Sequence, residues 1–246
     1  MKYSIILPFW RRLVQFQNTL VSFRHHYAKR NDYEVLVIID QKHLLEEIEA
    51  LHWLAGEFKD LPIRLIDPAH TDQTWQSPVC HYNQGAREAK GEFFVISNPE
   101  NFHVENILAG LDEEFGKDPG CYVLCACESV IDAGNVVEFF TDVALNARHD
   151  MWYQHSQHNP RDLHFCSALS KELFNRAGGF DERFKHGIAY DDDDFREAVR
   201  KTGARFVRRD DLKTYHLYHE RTHCGLPDYR KRIKHNHALY LGKWGK

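Results

Sequence analysis

The sequence is short of several things that would have assigned it quickly. No apolar run in its 246 residues approaches the ~20 needed to cross a bilayer. The opening MKYSIILPFWRR has too short an apolar stretch for a secretory signal and no small-residue cleavage site, so it reads as a first strand. There are only six cysteines, at 80, 121, 125, 127, 166 and 224, and none forms a C-x-x-C pair, which argues against a structural zinc finger. A chain this long needs no disulfide staples, and Cys125 and Cys127 would share one face of a strand as reduced thiols. A reducing compartment, hence a cytoplasmic protein, is the expectation. Excess positive charge is also missing. Lys+Arg total 32 against 36 Asp+Glu, a formal charge of −4, which argues against nucleic-acid binding as the main role. Internal repeats, low-complexity tracts and linkers are absent too. With 43% hydrophobic residues there is enough apolar material for a large core. One compact domain over residues 1–225 with a helical extension packed on it, 226–246, is the simplest organisation.

What is present is alternation of strand and helix. Residues 3–8 (YSIILP) and 33–40 (YEVLVIID) are nearly all apolar, the mark of strands covered on both faces, and 62–67 (PIRLID) reads as a third. Leu13, Phe16, Leu20, Phe23 and Tyr27 recur at helical spacing, and 44–58 reads as a second helix. Residues 79–90 read as a helix ended by Gly91 at C′, followed by strands at 92–97 and 121–126 around a helix at 104–115. Beyond a stretch without period at 128–163, a short strand at 165–169 precedes a helix at 171–177. A helix at 192–202, a strand at 204–208 and a tail helix at 229–241 follow. That last helix sets Tyr229, Ile233, His237 and Leu241 on one face. These β-α repeats predict an open α/β sheet with right-handed crossovers.

In such sheets ligands sit beyond the carboxyl ends of the strands. Asp40, Asp67 and the pair Asn98/Glu100 fall there. Each alone has a local excuse as a turn former; together they make a polar rim suited to a nucleotide. Asp191-Asp192-Asp193-Asp194 opens a helix. The helix dipole favours acids by ~0.3–1 kcal/mol each, but four crowd within one turn, so the surplus suggests an electropositive partner or a carboxylate held as a base. His216 and His219 point to opposite faces if extended and share one if helical. Either could join Glu100 at a hard-cation site, and imidazole moves the balance from Mg²⁺ toward Mn²⁺. Trp152, Tyr153, His155, His158 and His164 are either a stacking platform for a sugar ring or packing residues. Trp75 is either a lid or a loop anchor. Arg230, Lys231, Arg232 and Lys234 read first as a solvated face and second as contact with an acidic lipid surface or glycan.

These residues carry a resemblance to the family 2 glycosyltransferases, spanning roughly residues 3–220. YSIILP is similar to the family's opening strand and VLVIID, ending at Asp40, to its second. Asn83–Gly91 (NQGAREAKG) is similar to N-x-G-x-x-x-A-x-G. The most specific segment, GGFDERF followed by Asp191–Phe195, is similar to G-G-F-D-E-x-F…E-D-x-D-L. The resemblance implies a GT-A-type α/β fold: an open, mostly parallel sheet flanked by helices. It implies Asp192 as catalytic base with Asp191 in place of the preceding Glu. Asn98-Pro99-Glu100 takes the place of D-x-D, so a first carboxylate is lost and Glu100 remains as the metal ligand, completed by His216 or His219. Donor contacts are implied at Pro8, Asp40, Asp67, Asn83, Arg87 and Asn98. The expected reaction is metal-dependent, with Mn²⁺ or Mg²⁺. It moves a sugar with inversion from a nucleoside-diphosphate sugar, a UDP-sugar favoured, to a glycan or other hydroxyl acceptor. A sugar- or nucleotide-binding protein without transfer and a metal-dependent phosphohydrolase are the alternatives, and a homodimer through the exposed aromatic tail helix stays open.

Overall fold

The computed structural model describes residues 1–40, 45–69, 77–131, 149–220 and 222–245. Among them the first half runs β1 (Tyr3–Phe9), α1 (Leu13–Tyr27), β2 (Tyr33–Ile39), α2 (Leu45–Glu57), β3 (Ile63–Ile66), α3 (Val79–Glu88), β4 (Phe93–Ser97), β5 (Asn101–His103) and α4 (Ile107–Lys117). The second half runs β6 (Tyr122–Val130), β7 (His149–Gln154), β8 (Cys166–Ser170), α5 (Lys171–Ala177), a 3-10 turn at Glu182–His186, α6 (Asp191–Lys201), β9 (Phe206–His216), a 3-10 turn at Thr222–Gly225 and α7 (Tyr229–Trp244). Trp75, most of the 68–78 loop and residues 132–148 lie outside the described residues.

The sheet order is β3-β2-β1-β4-β8-β6-β9-β5, with β7 paired to β6. The expected parallel sheet occupies one half: β3, β2, β1 and β4 are all parallel. The other half is mixed. β8 runs antiparallel to both β4 and β6, β5 to β9 and β7 to β6, while β6 and β9 are parallel. The reversal at β8 (CSALS) is not legible in the sequence, because so short a strand carries no mark of its direction.

Continuous apolar strands are buried on both faces, as their composition requires. Ile5, Leu7, Val35 and Val37 point to one side, where α1, α2 and α4 cover them with Phe16, Leu20, Leu51 and Leu111. Ile6, Leu36 and Ile38 point to the other, under α3, α5 and α6 with Tyr82, Phe174 and Phe195. The α1 stripe from Phe16 to Tyr27 is the one its spacing predicts. α7 is rotated from its expected face. Asn236 and Tyr240 are buried and Trp244 packs on the second core, while His237 and Leu241 are exposed. Two aromatic residues of the helix, Tyr240 and Trp244, therefore pack inward. Arg232 leaves the basic stripe as well, donating to Asp228 (3.0 Å) and to the His186 carbonyl (2.7 Å).

Gly91 is not a left-handed helix cap, since α3 ends in an extended residue, Ala89. It is glycine for lack of space. A Cβ there would stand 2.6 Å from the Ser4 backbone nitrogen, and the Gly91 N–H donates to Ser4 Oγ (2.9 Å). Gly91→Ala must push β1 and β4 apart. We expect a loss of about 1–3 kcal/mol, as for other overpacked sites, read as a lower urea midpoint at unchanged m-value.

Candidate active site

A cleft of about 420 Å³ opens at the carboxyl ends of the parallel strands, where α/β sheets bind ligands. Pro8 and Phe9 come from the end of β1, Asp40 follows β2 and Asn98 follows β4. Trp10 and Arg12 enter from the β1–α1 connection, and Ser77 and His81 from the start of α3. Glu100, His216, His219, Tyr153 and Phe165 close the far side.

The far side is built by strand pairing. β5 is only three residues long, but it lies antiparallel to the end of β9 with Asn101 opposite His216. The Leu217 N–H then donates to the Glu100 carbonyl (2.9 Å). Register alone thus brings Glu100 beside His216. Strand β9 ends at His216, so neither the extended nor the helical alternative applies to the pair. The chain turns, and His219 comes back to the same carboxylate. Glu100 Oε1 lies 3.5 Å from His216 Nε2 and 3.4 Å from His219 Nε2. One ligand atom from each of the three residues falls within 4.8 Å of the others. Burial alone would raise the Glu100 pKa, but hydrogen bonds and charge from the two imidazoles outweigh it and hold the carboxyl well below its usual range. Tyr153 meets His216 edge-on (4.8 Å between centroids) and stacks on Phe165 (4.6 Å), which fixes the ring plane. One carboxylate and two imidazoles within such a distance are a donor set suited to Mn²⁺ and other first-row cations more than to Mg²⁺.

The aspartate run divides into two pairs. Asp193 is taken up by Arg161 (3.1 Å) and Arg196 (2.8 Å), and Asp194 by Lys243 (2.9 Å) and Trp244 Nε1 (2.8 Å). The electropositive partner inferred from sequence is therefore, for this half, the protein itself. Asp191 and Asp192 have no bonded cation among the described residues. Asp191 accepts from Ser77 Oγ (2.9 Å), which lines the cleft. Burial, then the charges of Asp193 and Asp194, raise its pKa despite that bond. Asp192 is pushed up to about 7 by burial and by the charges of Asp191 and Asp193. Its Oδ1 accepts from the Asp193 N–H (2.9 Å). Both carboxyls follow two consecutive left-handed residues, Ala189 (φ 62°) and Tyr190 (φ 66°).

Tyr82 links the two groups of acids. Its hydroxyl donates to Asn98 Oδ1 (2.7 Å), and its pKa is raised by burial and then by Glu100, Asp191 and Asp192 together. Asn98, in place of a carboxylate, is thus an acceptor for a phenol that stays protonated.

Of the residues singled out from sequence, Pro8, Asp40, Asn98, Glu100, His216, His219 and Tyr153 line the cleft, and Asp191 reaches it through Ser77. Asn83 and Arg87 do not; they border a separate hollow with Gly178 and Gly179. Asn83 is a clamp instead. Its Nδ2 donates to the Phe180 carbonyl (2.8 Å) and its Oδ1 accepts from the Phe180 N–H (2.9 Å), pinning the turn after α5. Asp67 is exposed and joins α3 through its carbonyl, which accepts from Gln84 Nε2 (2.7 Å). Trp152 turns away from Tyr153, stacks on His158 (5.6 Å) and meets His155 at a tilt (4.4 Å). His164 is buried against Tyr82 and Phe180, and burial drops its pKa to about 3, so it is a neutral core residue. Ser77, Tyr82, Trp10 and Arg12 were not singled out. Tyr82 adjoins Asn83 one helical step away, a signal that was present in the sequence.

No family model matches the chain, and no curated protein matches it in sequence. Solved structures do match it in shape. A mannosyltransferase from Pyrobaculum calidifontis, PcManGT, in complex with GDP-Man and Mn²⁺ aligns with a TM-score of 0.65 at 15% identity, over 98% of this chain and 64% of that one. S. aureus TarS 1–349 in complex with UDP-GlcNAc aligns with a TM-score of 0.66 at 15% identity, over 98% of this chain and 67% of that one. TarS 1–349 in complex with UDP aligns with a TM-score of 0.65 at 16% identity, over 89% of this chain and 61% of that one. The chain spans less than two thirds of the length of the mannosyltransferase. At such identities the likeness establishes the architecture: the chain has the GT-A glycosyltransferase fold.

Proposed function

We propose that the chain is a metal-dependent, inverting glycosyltransferase that moves a sugar from a nucleoside-diphosphate sugar, a UDP-sugar favoured, to the hydroxyl of a glycan or similar acceptor. The observation that carries this reading is the convergence on one cleft. The Glu100–His216–His219 group and Ser77, hydrogen-bonded to Asp191, line the same opening at the carboxyl ends of β1, β2 and β4. The architecture shared with nucleotide-sugar complexes supports it.

Glu100, His216 and His219 are the residues to hold Mn²⁺ or Mg²⁺. Bound there, the ion supplies positive charge against which a diphosphate departs. Asp40 and Pro8 border the part of the cleft suited to the nucleoside, and Arg12 offers a half-buried guanidinium to the phosphates. Asp192 accepts the acceptor's hydroxyl proton as that oxygen attacks the anomeric carbon, with Asp191 beside it. A carboxylate at its ordinary pKa is a poor base for an alcohol; raising Asp192 towards 7 improves the match while leaving it substantially ionised at neutral pH. Among the described residues no further carboxylate lines the cleft beside Glu100 and Asp40 as a nucleophile, which supports direct displacement with inversion of the anomeric configuration. Tyr153 gives an aromatic face for the acceptor ring. Buried free thiols agree with a reducing, cytoplasmic setting.

Mixed with UDP-GlcNAc or GDP-Man, the protein is expected to melt at higher temperature with Mn²⁺ than with EDTA, since ligands that bind only the folded state stabilise it by mass action. Slow nucleotide release would distinguish a transferase from a binding protein, and hydrolysis of simple phosphate esters would favour a phosphohydrolase. Asp192→Asn should lower transfer by about 10²–10⁴-fold, the usual worth of a general base, with UDP affinity in Mn²⁺ unchanged by calorimetry. Loss of affinity along with rate would mean that the base is misassigned. Glu100→Gln should remove the Mn²⁺-dependent part of UDP binding and leave the part seen in EDTA. The pH profile follows from Asp192: protonation removes the base, so kcat/KM should fall as pH drops below about 7. A midpoint near 4 would rule out a raised carboxyl.

A further inference from the structure

α7 takes part in no step above, yet its one fully buried polar residue is aimed at the approach to Asp191. Asn236 is 0% exposed. Its Nδ2 donates to the Ala189 carbonyl (2.7 Å) and the Phe184 carbonyl (3.2 Å), spanning the turn that precedes α6. The fit is close. A Cβ on Gly187 would stand 1.8 Å from Asn236 Oδ1, so only glycine lets the turn lie against the amide. Other bonds from the same helix fall on the same segment. Arg232 donates to the His186 carbonyl, its own carbonyl accepts from Ile188 N–H (3.4 Å), and His237 stacks on Tyr190 (4.8 Å between centroids). Past the turn, Lys243 and Trp244 hold Asp194.

The segment held this way is in an unfavourable conformation. Ala189 and Tyr190 are both left-handed, where L-residues persist only if their surroundings over-determine them. Asp191 and Asp192 follow directly. The amide is committed to the bend through its Nδ2 alone, since the Asn236 Oδ1 is buried without a partner among the described residues.

We infer that Asn236 is a positioning residue: its carboxamide latches the 184–190 turn in the left-handed bend that seats Asp191 on Ser77 of the cleft wall and fixes Asp192 beside it. The C-terminal helix is then part of the catalytic apparatus without touching substrate. The inference rests on reading Asp192 as the proton acceptor.

The test measures nucleotide release from UDP-GlcNAc and from GDP-Man in Mn²⁺, and UDP affinity by calorimetry, on the full chain. Asn236→Ala should lower kcat by about tenfold to a hundredfold, the scale of a misplaced reacting group, with donor KM and UDP affinity unchanged. Ala189→Gly in that background should restore part of kcat, because glycine adopts the bend without a Cβ penalty. Where Asn236→Ala fails to fold, Asn236→Ser, too short to reach both carbonyls, should give the same split. A folded Asn236 variant with unchanged kcat overturns the latch, and so does one in which kcat and UDP affinity fall together. Asp192→Asn read in parallel separates the two claims. If that variant still turns over, the reading of the base fails whatever Asn236 does. If it is inactive while Asn236→Ala runs at full rate, only the latch fails. Turnover of neither donor by the parent chain overturns both.

Discussion

The antiparallel pairing of β5 with the end of β9 is the contact on which the cleft depends. Only three residue pairs make it, but they oppose Asn101 to His216 and thereby seat Glu100 against two imidazoles from a distant part of the chain. A buried carboxylate without partners would be driven to its neutral form. Here the histidines keep it ionised, and the same three groups are the ones suited to a divalent cation. Tyr153 and Phe165 close the arrangement from the side, so the His216 ring plane is set by packing as well as by register.

Across the cleft the electrostatics run the other way. Glu100 is held charged, whereas Asp191 and Asp192 are pushed towards neutrality by burial and by the neighbouring carboxylates of the run. Two carboxyl environments with opposite shifts, one lining the cleft and one joined to its wall through Ser77, are the pattern that the proposed division between holding a cation and exchanging a proton requires. The division inside the aspartate run makes this workable. Asp193 and Asp194 are consumed by Arg161, Arg196, Lys243 and Trp244, which leaves the first two with acid to spare. Strain contributes as well, since the left-handed pair Ala189–Tyr190 is held by contacts from α7 and not by local preference.

Much of the architecture was legible from pattern. Uninterrupted apolar runs announced strands buried on both faces, and the α1 stripe from Phe16 to Tyr27 packs where its spacing said. The rim at the strand ends was legible too, because acidic residues there follow from the way α/β sheets bind ligands. Other features were not. The antiparallel β8 is a five-residue strand with no mark of direction, and β5 is too short to have a period. Asn83 shares its segment with cleft residues, but one step of helix turns its amide onto the Phe180 backbone, while the Tyr82 hydroxyl reaches Asn98 and His81 lines the cleft. On α7 an apolar pattern of about equal strength on two faces hid the fact that the packed one carries Asn236.

The sequence by itself determined the local terms: which stretches are extended or helical, which faces are apolar, and which side chains have acid, base or ligand chemistry. Those follow from periodicity and functional groups, which are properties of neighbours along the chain. Only the tertiary structure decided which of the four aspartates remain uncompensated and that both His216 and His219 reach Glu100. It alone showed that Asn83 is a clamp and Ser77 a bridge to the cleft. Burial and charge at those sites are set by residues far away in the chain, and the bonds that reach them come from register and packing that no local pattern encodes.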